Sequence, residues 1–225
     1  MKITAIVVLC SISVLEPASI ARVEDPSNSK PTPLFDGKSL DGWKKTDFHR
    51  AGDVKLEAGA IQLVRSDGMT GITTTRKDLP RVDYELSYEA MRTEGDDFFA
   101  AATFPVKDSY LTFVNGGWGG SITGLSSLDG ADASENETSV GFTYEKKRWY
   151  RFRIRVTADA VRCWIDDKAM AEVDISDRTV GTRLEVRENQ PLGFATWETG
   201  GALRKIEIRK LTPAEIAANR VPEKE

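Results

Sequence analysis

A strict alternation of polarity between Val82 and Ala90 is the feature that most constrains the fold. Successive side chains of a β-strand point to opposite faces, so the pattern predicts a strand with one buried and one solvated face. The apolar face carries Val82, Tyr84, Leu86, Tyr88 and Ala90, and the polar face carries Asp83, Glu85, Ser87 and Glu89. Such a strand requires a second layer to cover its apolar side.

Three later segments repeat the pattern and predict a meander of adjacent antiparallel strands. The first has Tyr150, Phe152, Ile154 and Val156 on one face and Arg151, Arg153 and Arg155 on the other. The second carries Val161, Cys163 and Ile165, and the third Ala171, Val173 and Ile175. An Asp166-Asp167 turn joins the second and third segments.

Shorter apolar runs predict further strands. Between Leu34 and Leu211, no ten-residue segment has strong helical periodicity. The candidates are Ala60 to Val64, Phe98 to Val106, Tyr110 to Val114, Gly193 to Trp197 and Ala202 to Leu211. Many short strands with one polar face predict an all-β sandwich of two antiparallel sheets. After Leu211, Thr212 can cap a short, peripheral helix with Pro213 at its first position.

The N-terminus reads as an export signal. Lys2 precedes an apolar run from Ile3 to Leu15, and Ser19 and Ala21 are the small residues of a cleavage site. We therefore expect a signal peptide over 1–21, a flexible linker over 22–33, a folded domain over 34–211 and a tail over 212–225. The domain should be secreted or periplasmic, with no membrane insertion after cleavage.

Composition limits the partners. The 225-residue chain carries a formal net charge of −4. This charge disfavours nucleic acid as a binding partner, because nucleic-acid binding relies on clustered positive charge. Its length suffices to bury a large core without disulfides. Cleavage of the signal leaves a single cysteine, Cys163, which cannot form an intramolecular disulfide.

The stretch "PLFDGKSLDGW", Pro33 to Trp43, opens the predicted domain with two Asp-Gly turn signals. Phe35 and Trp43 flank the turns as apolar anchors. The residues by themselves indicate an N-terminal hairpin pinned to the sandwich by two aromatic rings.

"LFDGKSLDGW" also resembles the opening signature of the 3-keto-disaccharide hydrolase family. The stretches "VDYELSYEAMR", "RWYRFRIRV", "CWIDDKAMAEVD" and "PLGFATWETGGALRKIEIRKL" are similar to later motifs of that family, in the same order. The resemblance covers Leu34 to Leu211. It implies a concanavalin A-like jelly roll that binds carbohydrate, with hydrolase or lyase activity on the glycosidic bonds of 3-keto-glycosides.

The polar face of the first strand supplies the candidate catalytic residues, Glu89, Glu85 and Asp83. A ketone at C3 acidifies the proton on C2, so cleavage by elimination needs a carboxylate base near C2. The alternative is a solvated strand face neutralised by Arg151, Arg153 or Arg155 on a neighbouring strand.

The loop "SLDGADASENE" supplies candidate metal ligands, Asp129, Asp132 and Glu135. Closely spaced carboxylate oxygens suit a divalent cation such as Ca²⁺. A solvated acidic loop with no cation is the alternative, and no other cofactor is expected.

Four residues are candidate substrate contacts: Asn115 and Trp118 in the Gly-rich stretch "NGGWGG", and Trp197 and Glu198 near the end of the domain. Exposed indole rings offer flat apolar surfaces on which sugar rings can stack, although either tryptophan could instead pack in the core.

Three functions remain open from the sequence. A hydrolase requires convergent carboxylates in a pocket that excludes water, whereas a lectin-like module requires a shallow groove with exposed tryptophans. A surface protein-interaction module requires an apolar patch instead, because fold does not fix function.

Overall fold

The protein is built almost entirely from β-strands. The computed structural model describes residues 30–221, so the predicted signal peptide and most of the linker lie outside the described residues. The strands are β1 (Thr32–Pro33), β2 (Trp43–Lys45), β3 (Val54–Glu57), β4 (Ala60–Leu63), β5 (Met69–Thr74), β6 (Tyr84–Glu94), β7 (Phe99–Val106), β8 (Ser109–Gly117), β9 (Ile122–Ser126), β10 (Val140–Gly141), β11 (Trp149–Val156), β12 (Ala160–Ile165), β13 (Lys168–Asp174), β14 (Gly193–Trp197) and β15 (Gly200–Lys210). A 3-10 helix (Leu184–Asn189) and the helix α1 (Pro213–Ala218) complete the described chain.

The strands form two antiparallel sheets packed face to face. Sheet A has the order β13-β12-β11-β6-β15-β4-β3, and β1 pairs with β15. Sheet B has the order β10-β9-β8-β7-β14-β5-β2. This arrangement confirms the predicted all-β jelly-roll sandwich.

Aromatic rings from both sheets meet in the core. Tyr88 of sheet A stacks on Phe152 of the same sheet, with ring centroids 4.9 Å apart, and meets the edge of Phe194 of sheet B at 4.8 Å. All three side chains are buried. Because side chains alternate along each strand, this core also determines which residues face outward from each sheet.

The opening motif is not a hairpin, contrary to the sequence-based prediction. Leu34 donates its backbone N–H to Ile206 of sheet A, whereas Trp43 begins β2 of sheet B. The indole N–H of Trp43 donates back to the Leu34 carbonyl oxygen at 2.8 Å, and its ring lies against Phe194. Both aromatic anchors are buried as expected, but the motif connects the two sheets.

The long alternating segments were predicted correctly. β6 and the β11-β12-β13 meander lie side by side in sheet A, with Tyr84, Leu86, Tyr88 and Ala90 buried. The strand candidates did not include β5 and β9, nor the shorter strands β1, β2, β3 and β10. Every residue of β5 is buried, so no alternation marks it, and β9 lies in a Gly- and Ser-rich stretch.

The C-terminal helix is fastened to the outer face of sheet A, so the tail is not peripheral. Thr212 and Glu215 form a capping box at its start, as the predicted cap requires. Arg209 donates to both Glu215 carboxylate oxygens, at 2.9 and 2.6 Å. At the other end the buried Asn219 side chain donates to Thr157 and Ala160.

Within residues 30–221 no helix is long and apolar enough to span a bilayer. Export of the chain stays a prediction.

The Glu215 contacts predict a stability loss in acid. The Arg209 hydrogen bonds lower the Glu215 pKa from 4.5 to about 2, so the carboxylate stabilises the fold above pH 4.5. This contribution, about 3 kcal/mol, is lost as the pH falls from 4.5 towards 2. In urea titrations, wild type should therefore exceed Glu215→Gln in unfolding free energy at pH 6 and converge with it near pH 2. A pH-independent difference would contradict the assignment.

Candidate functional site

Glu85, one of the predicted catalytic residues, lies in a nearly buried ion cluster on the outer face of sheet A. Glu85 is 7% exposed, and one of its carboxylate oxygens accepts hydrogen bonds from Arg155 at 2.7 and 3.0 Å. Arg209 donates to the other oxygen at 2.8 and 3.0 Å. Strand register explains this, because Arg155 and Arg209 are the direct cross-strand partners of Glu85 on either side.

Glu89, the second predicted catalytic residue, is also ion-paired. Arg204 and Lys205 each donate to its carboxylate at 2.7 Å. A register shift in β15 between Arg204 and Glu207 lets both neighbours reach the same carboxylate. Burial raises the pKa of Glu89, but the hydrogen bonds from Lys205 and Arg204 outweigh it and lower the pKa overall.

Sheet A has an open hollow beside these carboxylates. The hollow, about 340 Å³, lies next to Glu89 and Trp149, and the carboxylates of Asp166 and Asp167 that line it are paired with Arg148 and Arg151. Asp83 precedes β6 with a positive φ of 57°. Paired charges, rather than convergent free carboxylates, therefore characterise this face, and a catalytic role for Asp83, Glu85 and Glu89 stays a prediction.

In the loop that was predicted to bind a cation, two of the acidic side chains pair with arginines from outside the loop. Asp129 accepts from Arg178 and from the Thr179 backbone N–H, which is the main cause of its lowered pKa. Asp132 accepts from Arg183, and Glu135 accepts from the Asp132 backbone N–H. Within the described part of the chain, no three acidic, His or Cys side chains are placed to hold a metal ion. The Ca²⁺ expectation for Asp129, Asp132 and Glu135 therefore finds no support.

A groove of about 260 Å³ lies instead on the outer face of sheet B. Its floor consists of small side chains that face outward from the central strands, among them Ala101, Thr112, Val114 and Ser126. Because these side chains are small, space remains above the floor between the Trp118 loop on one side and residues 181–191 on the other. The remaining lining residues are Met69, Asp97, Phe98, Trp118, Arg183, Glu185, Val186 and Trp197.

Two of the four predicted substrate contacts line this groove. Trp118 is 42% exposed and Trp197 is 40% exposed, and they are the two most exposed aromatic rings of the described chain. Asn115 is buried beneath, where its amide donates to the Ala100 carbonyl oxygen at 2.9 Å. Glu198 is exposed in the turn after β14 and does not line the groove. Asn115 therefore supports the sheet from inside.

The loop that carries Trp118 is anchored at two points. Arg92, 4% exposed, lies between the rings of Phe99 and Tyr144, at 5.0 and 5.6 Å from their centroids. Its guanidinium contacts the Gly116 carbonyl oxygen at 3.5 Å, and burial lowers its pKa. Asp97 accepts the Gly119 N–H at 2.9 Å and the Phe98 N–H at 2.7 Å. These contacts preorganise the Trp118 indole ring.

The opposite wall is a segment, residues 181–191, that crosses the outer face of sheet B; we call it the crossing segment. It starts with paired backbone hydrogen bonds between Gly181 and Ser127, beyond β9. Near its other end the Asn189 amide oxygen accepts from Thr46 and Thr73, at β2 and β5. The crossing segment therefore runs across the sheet from the β9 side to the β2 and β5 side.

Arg183 and Glu185 present charges to the groove from the crossing segment. Arg183 donates to both Glu185 oxygens, at 2.8 and 3.3 Å, and also pairs with Asp132. The Arg183 hydrogen bonds lower the Glu185 pKa, so this carboxylate is ionised at neutral pH. The crossing segment thus presents to the groove one guanidinium and one ionised carboxylate that are in contact with each other.

Sequence reasoning missed these two residues, together with Asp97, Phe98 and Met69. They come from separate loops and strands, and the crossing segment has no periodic pattern to mark it. Only the two tryptophans carried a signal, because large aromatic rings in Gly-rich or terminal-strand positions are often exposed for binding.

Comparisons with known proteins agree with this architecture. The model of the 3-keto-alpha-glucoside-1,2-lyase-like domain matches residues 30–209. The chain belongs to this family. The predicted family resemblance is thereby confirmed, and no curated protein matches the chain.

Two solved structures are similar to this lyase-like domain. A carbohydrate-binding module, CBM66, from Bacillus subtilis is 12% identical with a TM-score of 0.50, covering 75% of this chain and 96% of that one. A Crh5 transglycosylase in complex with NAG is 14% identical with a TM-score of 0.54, covering 83% of this chain and 89% of that one. At these identities the similarity establishes the shared fold alone.

The Glu85 ion cluster predicts a large effect of removing one charge. Glu85→Gln removes the nearly buried carboxylate that lies between Arg155 and Arg209 and leaves Glu215 as their remaining shared carboxylate, so it should lower the unfolding free energy by about 3 kcal/mol. Urea denaturation at pH 7 measures this, with Ser87→Ala on the same strand face as the control. A loss within about 1 kcal/mol would show that the cluster behaves as an exposed pair.

Two glycines of the Trp118 loop provide a matched test of the Arg92 anchor. Gly116 and Gly119 both have positive φ, 76° and 77°. A Cβ at Gly116 would overlap the Arg92 guanidinium, whereas a Cβ at Gly119 meets nothing within 4 Å. Gly119→Ala should therefore cost only backbone strain, about 1 kcal/mol, and Gly116→Ala should cost clearly more. Thermal unfolding measures both, and equal losses would contradict the role given to Arg92.

Proposed function

We propose that this domain binds a saccharide in the sheet B groove and cleaves the glycosidic bond of 3-keto-glycosides there. The observation that carries the proposal is the presence of two exposed indole rings, Trp118 and Trp197, around a groove that also holds Arg183 and Glu185. Flat aromatic faces contribute apolar contact area while charged groups fix orientation, as small-ligand sites require.

The size of the groove favours a small ligand. Sites for drug-sized molecules occupy about 300–1,000 Å³, so a groove of about 260 Å³ suits a ligand of one or two rings. Membership of a lyase-like family supports 3-keto-glycosides as the class.

Glu185 and Arg183 are the groups that we assign to the chemistry. Glu185 would take the proton from C2, next to the ketone, and the electron pair of that C–H bond would form an enolate. The C1–O bond then breaks, the leaving oxygen takes a proton from water, and addition of water to the resulting double bond completes hydrolysis. The Arg183 guanidinium would stabilise the negative charge that develops on the ketone oxygen.

A second candidate, saccharide binding without turnover, is favoured by one observation. Both groove carboxylates already have partners, because Asp97 accepts two backbone N–H groups and Glu185 is held by Arg183. A lowered pKa also makes Glu185 a weaker base.

Incubation of the full chain with a 3-keto-glucoside tests the proposal. Product release measures turnover, and calorimetric titration measures affinity. We expect Trp118→Ala and Trp197→Ala to weaken binding about tenfold each, because each removes a stacking surface. Glu185→Gln should lower turnover at least about a hundredfold and retain binding.

Glu89→Gln is the matched control on sheet A, since it removes one ion-paired carboxylate outside the groove. It should leave turnover unchanged. Loss of turnover in Glu89→Gln, with Glu185→Gln active, would move the site to the acidic strand. Binding of an unoxidised glycoside with no turnover of the 3-keto form would support the second candidate.

A further inference from the structure

The groove has two chemically different corners. Thr112 of β8 and Ser126 of β9 are direct cross-strand partners, and their hydroxyl groups lie at one corner. Met69 of β5 and Trp197 of β14 are also direct partners, and they form the diagonally opposite corner. Two strand spacings separate β8 from β14, so the corners are at least about 9.5 Å apart.

The crossing segment also has a polar side chain at the first corner and an apolar side chain at the second. Arg183 lies at the hydroxyl corner, because it pairs with Asp132, which in turn accepts the Ser126 hydroxyl at 3.2 Å. Val186 lies at the other corner, where it packs in one apolar cluster with Met69 and Ala195. The cluster is extended by Phe48 and Phe98. The floor and the crossing segment are therefore polar at one corner and apolar at the other. On the apolar side Asp97 also lines the groove, and its carboxylate already accepts the Phe98 and Gly119 backbone N–H groups.

This division discriminates between ligands. A disaccharide that filled the groove would place its second ring, with several hydroxyl groups, against Met69, Val186 and Trp197. The Trp197 indole N–H is the one strong side-chain hydrogen-bonding group among these three residues, so most hydroxyl groups buried there would lose water without gaining a partner, which is unfavourable. An apolar ring of the same size would instead gain from leaving water.

We propose, on the basis of the saccharide-binding role above, that the ligand is a glycoside with an aromatic aglycone. The sugar ring occupies the half formed by Thr112, Ser126 and Arg183. The aromatic aglycone occupies the half formed by Met69, Val186 and Trp197. The exposed Trp197 ring then stacks on the aglycone.

Affinity measurements on the full chain with two probes test this assignment. The probes are a 3-keto phenyl glucoside and a 3-keto disaccharide of two glucose units, each titrated by calorimetry. The phenyl glucoside should bind at least about tenfold more tightly.

Two near-isosteric substitutions in opposite halves provide the matched pair. Val186→Thr places a hydroxyl group in the apolar half and should remove most of the preference for the phenyl glucoside. Ser126→Ala in the polar half should weaken both probes equally and leave the preference intact. Trp197→Ala alters the exposed part of the apolar half, so it keeps the test valid if Val186→Thr unfolds.

The outcomes separate this inference from the proposed function. Equal affinity for the two probes, or tighter binding of the disaccharide, would overturn the aromatic aglycone and leave the saccharide site standing. Binding of neither probe would overturn both. Sedimentation that showed a dimer abolished by Trp197→Ala would also overturn the inference, because a second copy would then occupy the apolar half.

Discussion

The face-to-face packing of aromatic side chains between the two sheets is the constraint on which the rest of the structure depends. Tyr88 contacts Phe152 within its own sheet and Phe194 across the interface, so the inner faces of β6, β11 and β14 are fixed relative to one another. A slip of one residue in any of these strands would turn its apolar set outward. The same packing therefore determines which side chains face outward on both sheets.

The outer faces of the two sheets differ in their side chains: sheet A is covered by ion pairs, whereas sheet B has a groove. On sheet A, cross-strand register places arginines on both sides of Glu85, and the charges neutralise one another. On sheet B, small side chains such as Ala101 and Val114 leave space on the floor. The crossing segment and the Trp118 loop then raise walls around that space. The carbohydrate site that we propose lies in this groove, while sheet A gains stability from ion pairs and from the docked C-terminal helix.

The fold was accessible from the sequence because alternation is a local property. Val82 to Ala90 and the meander needed only a period of two and a turn at Asp166-Asp167. The site was less accessible. The acidic face of β6 carries a clear local signal, but only the register with β11 and β15 reveals that Arg155, Arg209 and Arg204 occupy it. Arg183 and Glu185 reach the groove through a crossing that no local pattern encodes, so only Trp118 and Trp197 could be selected beforehand.

Tryptophan indole N–H signals provide the most direct test of the central claim that the sheet B groove is the saccharide site. The chain has five tryptophans: Trp43 in the core, Trp149 and Trp164 on sheet A beneath arginine side chains, and Trp118 and Trp197 at the groove. Titration of a 3-keto-glucoside into ¹⁵N-labelled protein, followed by NMR, should shift the Trp118 and Trp197 signals and leave those of Trp149 and Trp164 in place. Shifts confined to Trp149 and Trp164 would contradict the account.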